Sequence, residues 1–118
     1  MDVSETLRDD GITILKLAGR MDIEGTGKIE LKLTVATAVD GAHAIVDLSD
    51  VSFMSSIGIG ALVRLTKTVR RRHGNLVLLN PQPIVRLALE KTGIPGVIGT
   101  YDTLDGAVTG VRTGRLIR

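Results

Sequence analysis

Two adjacent serines, Ser55 and Ser56, are the residues of this 118-residue chain best placed to do chemistry. Before them runs the apolar segment Ile45-Val46-Asp47-Leu48 and a polar stretch at Ser49 and Asp50. After them an amphipathic stretch opens as Ile57-Gly58-Ile59-Gly60. Read as a strand, a polar corner and a helix, that order sets a hydroxyl at a helix N-terminus. Four backbone N–H groups lack partners there, and the helix dipole is positive. Such a hydroxyl is suited to contact or carry a negative group, phosphate above all. Serine is also a preferred helix cap, worth about 1 kcal/mol, and capping alone accounts for one of the pair. The second is surplus. Gly58 and Gly60 lower helix propensity in the first turn, which fits close packing on a sheet and close approach of a partner's backbone equally well.

Other sites are absent or incomplete. Gly58-Ile59-Gly60 begins a Gly-x-Gly, but the third glycine of a dinucleotide fingerprint would fall on Val63, and no P-loop pattern occurs. A relay of Ser56 with His43 or His73 and Asp47 has no supporting spacing and no Gly-x-Ser-x-Gly elbow. The two histidines and the scattered carboxylates lack metal-ligand spacing. With no cysteine, disulfides, zinc thiolates and cysteine nucleophiles are excluded. The expectation is a protein without catalytic residues, metal or cofactor.

Composition narrows the partners. Apolar residues make up 43% of the chain, enough for a core, and Phe53 and Tyr101 are its only aromatics. That weighs against base stacking on nucleic acid, and no direct nucleic-acid contact is expected. The formal charge is +2, with arginines concentrated at 70–72 and at 112, 115 and 118; solvated ends are the simplest reading. No charged-then-apolar leader opens the chain and no apolar run approaches a membrane span. A cytoplasmic protein is expected, monomeric or weakly dimeric.

The elements around the corner follow from pattern. Residues 3–7 and Ile12 to Ala18 read as a hairpin across Asp9-Asp10-Gly11, with residues 19–22 ending the second strand. Residues 24–39 carry Ile29, Leu33, Ala36 and Val39 at helical spacing, although alternation over 29–35 also fits a strand; a crossover is needed, and a helix is expected. A buried strand follows at 42–48. A helix at 57–72 turns Leu62, Leu65 and Val69 to the core and Arg64, Lys67, Arg70 and Arg71 to water, with Gly74 as its stop. A buried strand at 76–79, a short helix at 83–91 ending at Gly93, a last strand at Val97 and Ile98, and a terminal helix to about Val111 capped from Asp102 complete the reading. The fold class is α/β: a single domain over 1–118 with its core at about 3–110 and a basic tail at 111–118. Its sheet is mixed, mostly parallel and four- to five-stranded, under about four helices.

Three segments resemble one family. The stretch from Ile45 to Gly60 is similar to the signature of STAS domains, specifically bacterial anti-sigma-factor antagonists, where an apolar strand ending in Asp-Leu leads to a Phe-Met-Asp-Ser-Ser/Thr-Gly-Leu-Gly corner. Leu17-Ala18-Gly19-Arg20-Met21-Asp22 matches the family's Leu-x-Gly-x-Leu-Asp, and Pro83 to Ile94 its Pro-x-Val-x-x-x-Leu-x-x-x-Gly-Leu. The resemblance implies a phosphorylation-controlled binding module. Its unphosphorylated form binds an anti-sigma factor, usually a serine kinase of the histidine-kinase ATPase superfamily; phosphorylation of the corner serine breaks the complex, and a metal-dependent serine phosphatase restores it. The acceptor serine falls on Ser56, with Ser55 the lesser candidate. Ser55 replaces the family's Asp and Ile57 its second Ser or Thr, while Gly58 keeps its Gly. The implied partner-binding residues are Arg20, Asp22, Met54, Ser55, Ser56, Ile57, Gly58 and Ile59. The alternative is a STAS subunit docked constitutively on the ATPase of a lipid-transport complex, with Ile57 in the contact.

Overall fold

In the computed structural model, residues 1–113 are described. The elements are β1 (Asp2–Leu7), β2 (Ile12–Met21), α1 (Ile23–Ala36), β3 (His43–Met54), α2 (Ser56–Arg71), β4 (Asn75–Leu79), α3 (Pro83–Lys91), a 3-10 turn (Ile94–Gly96), β5 (Thr100–Tyr101) and α4 (Leu104–Thr113). One five-stranded sheet runs in the order β1-β2-β3-β4-β5. Only β1 and β2 pair antiparallel; the other three pairings are parallel. The α/β class and the mixed, mostly parallel sheet are as the sequence implied. No helix among the described residues is long and apolar enough to cross a membrane.

Alternation sorts the sheet into two faces. Leu76 and Leu78 of β4 join the larger core with Ile29 and Leu33 of α1, Leu62, Leu65 and Val69 of α2, and Val85 and Leu89 of α3. Val77 and Leu79 point the other way, packing with Ile12, Ile45 and the α4 residues Ala107 and Val111. The central strand is covered on both faces, so Ala44, Ile45 and Val46 are fully buried in succession. The hairpin turns as expected: Gly11 adopts φ +86°, and the Asp10 carboxylate accepts from the Ile12 N–H at 3.2 Å.

Several boundaries differ from the expectation, each for a local reason. The polar residues after Leu48 do not end β3, which continues to Met54 against an equally extended β2. Lys16 pairs with Asp47 and Ala18 with Asp50, then Gly19 with Val51 and Arg20 with Phe53, so β3 holds two extra residues in bulges. Asp47 satisfies one bulge by accepting from the Ser49 N–H at 2.9 Å, and the Gln82 amide donates to the Ser49 carbonyl at 2.8 Å.

Helix α1 stops at Ala36, leaving Val39 outside it and exposed. His73, not Gly74, takes the left-handed position after α2, at φ +66°. The His73 N–H donates to the Arg70 carbonyl and the Gly74 N–H to the Val69 carbonyl, both at 3.0 Å, which closes a Schellman motif. Gly74 is needed for closeness instead, since a Cβ there would stand 2.1 Å from the Ala42 carbonyl oxygen. Arg70 does not face water fully. It is partly buried and donates to the Val97 carbonyl at 2.7 Å.

The last strand lies at Thr100–Tyr101 rather than at Val97 and Ile98; Ile98 is buried, and its N–H donates to the Ile94 carbonyl. Thr103, not Asp102, caps α4 through the Gly106 N–H, and Asp102 pairs with Arg86. Residues 111–113 of the expected basic tail belong to α4, and the rest of it, 114–118, lies outside the described residues.

Candidate functional site

The two longest parallel strands end side by side. Met21 of β2 pairs with Met54 of β3, and each is followed by a helix-capping residue. Asp22 caps α1 by accepting from the Gly25 N–H at 2.7 Å. Ser55 caps α2 by accepting from the Gly58 N–H at 3.4 Å. A glycine stands at the third helical position of both helices, and neither is there for flexibility. A Cβ on Gly25 would lie 2.0 Å from the Arg20 carbonyl oxygen, and one on Gly58 would lie 2.9 Å from the Met21 Cβ. Both glycines let a helix start hard against the end of β2. For Gly58 the close packing is therefore internal. A Cβ on Gly60 would meet only the end of the Arg64 side chain, at 3.3 Å.

The serines divide the work. Ser55 is tied into the scaffold: its N–H and its hydroxyl both donate to the Met21 carbonyl, at 3.0 and 2.8 Å, while the hydroxyl oxygen also caps α2. Its proton and one lone pair are thus engaged. Ser56, the first residue of α2, is exposed, and its hydroxyl takes no partner among the described residues. One serine holds the corner together, and the other stands free on it.

Around Ser56 the surface is mixed. Ile57 is 46% exposed, and Ile23, the first residue of α1, is 74% exposed. Arg20 lays its guanidinium over the Phe53 ring, 4.3 Å from the centroid, and approaches the Asp22 carboxylate at 3.6 Å. The Gly25 N–H chiefly holds the Asp22 carboxyl below the usual carboxylate range, burial opposes this, and Arg20 assists. Asp22 therefore keeps its charge at neutral pH.

Of the sequence-derived contact residues, Arg20, Ser56 and Ile57 are exposed and Asp22 and Ser55 are partly so. Met54, Gly58 and Ile59 are buried. They are corrected from contact surface to platform: Met54 ends β3 with its side chain in the core, and in the first turn of α2 Ile59 packs into that core while Gly58 lies against Met21. Sequence reasoning missed Ile23, Glu24 and Phe53 as neighbours of the corner. A signal for the first two was present, because Met21-Asp22-Ile23-Glu24-Gly25 repeats the spacing of Met54-Ser55-Ser56-Ile57-Gly58, a methionine, a cap, two residues and a glycine.

A hydrolytic relay does not assemble. His43 begins β3 and Ser56 follows its far end, while His73 lies beyond the C-terminus of α2. Among the described residues no cluster of three His, Cys, Asp or Glu could hold a metal ion. What the corner can do is present a free hydroxyl, one cation and two aliphatic side chains on a rigid base.

Comparison with known proteins gives the family and the fold. The family model for the STAS domain matches residues 4–107. The anti-sigma-B factor antagonist of Bacillus subtilis is 32% identical over 109 residues, covering 92% of this chain and 95% of its own. A crystal structure of an anti-sigma factor antagonist from Mycobacterium paratuberculosis has a TM-score of 0.80 at 25% identity, over 94% of this chain and 95% of that one. SpoIIAA, an anti-sigma factor antagonist solved in its unphosphorylated form, has a TM-score of 0.76 at 23% identity, over 95% of this chain and 97% of its own. Its phosphorylated form shares the fold at a TM-score of 0.69 and 22% identity, over 94% of this chain and all of that one. These relatives and structural neighbours are anti-sigma factor antagonists, and this chain belongs to the STAS domain family.

Proposed function

We propose that this chain is a non-enzymatic partner-switching regulator. In its unphosphorylated form the corner of Ser56, Ile57, Arg20 and Asp22 binds an anti-sigma factor that is also a serine kinase of the histidine-kinase ATPase superfamily. The kinase phosphorylates Ser56: the Ser56 Oγ bonds to the γ-phosphorus of ATP, the bond to ADP breaks, and the serine proton passes to a base of the kinase. A metal-dependent serine phosphatase hydrolyses the Oγ–P bond with water and returns the free hydroxyl. The setting is the cytoplasm, where ATP and sigma factors meet.

One observation carries the reading: Ser56 is exposed and unengaged, while Ser55 beside it is committed to Met21 and Gly58. A phosphate adds about −1.5 to −2 charge. At the start of α2 the domain tolerates that charge, but a partner packed flat on Ile57 and Ile23 would have to desolvate it. A loss of about 3–4 kcal/mol weakens an interface roughly a hundred- to a thousandfold.

Incubation with the cognate kinase and ATP, with phosphate mapped by mass spectrometry, tests the assignment. Phosphate on Ser56 is expected, retained in Ser55→Ala and lost in Ser56→Ala. Phosphate found only outside Ser55 and Ser56 would overturn it.

A further inference from the structure

We propose that Arg20 is the internal counter-ion of phosphorylated Ser56, a guanidinium parked on Phe53 and Asp22 that turns to the phosphate when Ser56 carries one. The proposal rests on Ser56 being the phosphoacceptor and assigns how this chain accommodates the modification.

Placement comes first. Arg20 and Phe53 are register partners on β2 and β3, Met21 and Met54 come next, and the Ser55 N–H bonds the Met21 carbonyl at 3.0 Å. Ser56 is thus three residues beyond the ring on which Arg20 rests. Charge comes second. Over residues 19–25 and 53–60 Arg20 is the sole cation; the acids there are Asp22, the cap of α1, and Glu24 in its first turn, and the first turn of α2 carries none. Farther out, Arg64 of α2 is tied to Glu30 at 2.9 Å and Lys16 of β2 to Asp50 at 3.4 Å, so neither is spare.

The present holds on Arg20 are weak. Its side chain is 61% exposed, and its approach to Asp22, at 3.6 Å, is longer than a hydrogen bond. Asp22 does not depend on it, because the Gly25 N–H at 2.7 Å is the carboxylate's main partner. Stacking of this largely exposed guanidinium over the half-buried Phe53 ring is likewise a modest attraction. A phosphate dianion offers more charge and a bidentate match to the guanidinium fork. Exchange of Asp22 and Phe53 for phosphoserine thus strengthens one charge pair while leaving the α1 cap intact. It also lifts the guanidinium from the Phe53 ring, which changes the surface that the partner meets.

The test installs phosphoserine at position 56 during translation, so no kinase is needed, and titrates the phosphate by phosphorus NMR. A nearby cation favours the dianion and lowers the second ionisation. The midpoint in the otherwise wild-type protein is expected about half a pH unit below that of Arg20→Gln at low salt. Arg20→Lys should restore part of the gap, and 1 M salt, with a Debye length of about 3 Å, should close most of it. Equal midpoints for wild type and Arg20→Gln at low salt would overturn the proposal. Absence of kinase labelling at Ser56 would instead overturn the switch reading and leave this result standing.

Discussion

The two strand-to-helix corners of this protein share one frame and differ in charge. In both, a methionine ends a long parallel strand, the next residue caps a helix, and a glycine three positions after the cap lets that helix start against β2. At the first corner the cap is Asp22, whose charge is fixed at neutral pH. At the second it is Ser55, a neutral cap followed by the free hydroxyl of Ser56. The contrast teaches that the frame is a way of starting helices side by side. The hydroxyl proposed as the phosphoacceptor belongs to the one residue that the frame does not use.

Removing the frame should have the largest effect. Gly25→Ala sets a Cβ 2.0 Å from the Arg20 carbonyl oxygen, backbone that cannot yield without moving β2 or α1. A loss of about 3 kcal/mol or more is expected in urea unfolding. Gly58→Ala, whose closest contacts are the Met21 Cβ at 2.9 Å and carbonyl oxygen at 3.0 Å, should cost about 1–2 kcal/mol. If Gly58→Ala proves the more damaging, the two corners are not built alike.

The serine pair separates next. Ser55→Ala removes the cap and the bond to the Met21 carbonyl, for about 1–2 kcal/mol. Ser56→Ala should stay within about 0.5 kcal/mol, as expected of an exposed side chain without a partner. Equal losses from the two, read as shifts in unfolding midpoint, would contradict the division of labour.

The charged cap has a signature that the neutral cap lacks. Asp22 ionises below its ordinary value of 3.8 in the folded chain, chiefly because of the Gly25 N–H. The unfolded chain therefore takes up that proton at a higher pH than the folded one. The stability Asp22 contributes is complete above the ordinary carboxylate range and is lost as pH falls through the folded value. Asp22→Asn keeps a capping oxygen and should flatten the acid limb of the stability curve. Asp10, lowered chiefly by Arg8, titrates in the same direction, so the curve keeps some slope. Ser55→Ala should shift the curve down without changing that slope.

Much of this frame was legible in the chain. The α3 boundaries at Pro83–Lys91 follow from a proline at the first helical position and a left-handed glycine at 93, φ +72°. The serine corner was legible because two hydroxyls before a Gly-x-Gly exceed what a cap requires. The extent of β3 was not, since Ser49 and Asp50 look like a turn until β2 supplies a partner for the bulged strand. The left-handed His73 was hidden for a related reason: Gly74 looks like the helix stop, whereas closeness to Ala42 is what requires a glycine there. Burial of Met54 follows from β3 running on to that residue, and burial of Ile59 depends on the phase at which α2 meets the sheet, which a strand boundary drawn too early puts out of register.

The measurement that bears most directly on the central claim is the affinity of the cognate anti-sigma factor for this chain with and without phosphoserine at position 56, by titration calorimetry. The account predicts tight binding of the unmodified chain and a loss of about a hundredfold or more on phosphorylation, with the fold unchanged by circular dichroism. Equal affinity for the two forms would contradict it.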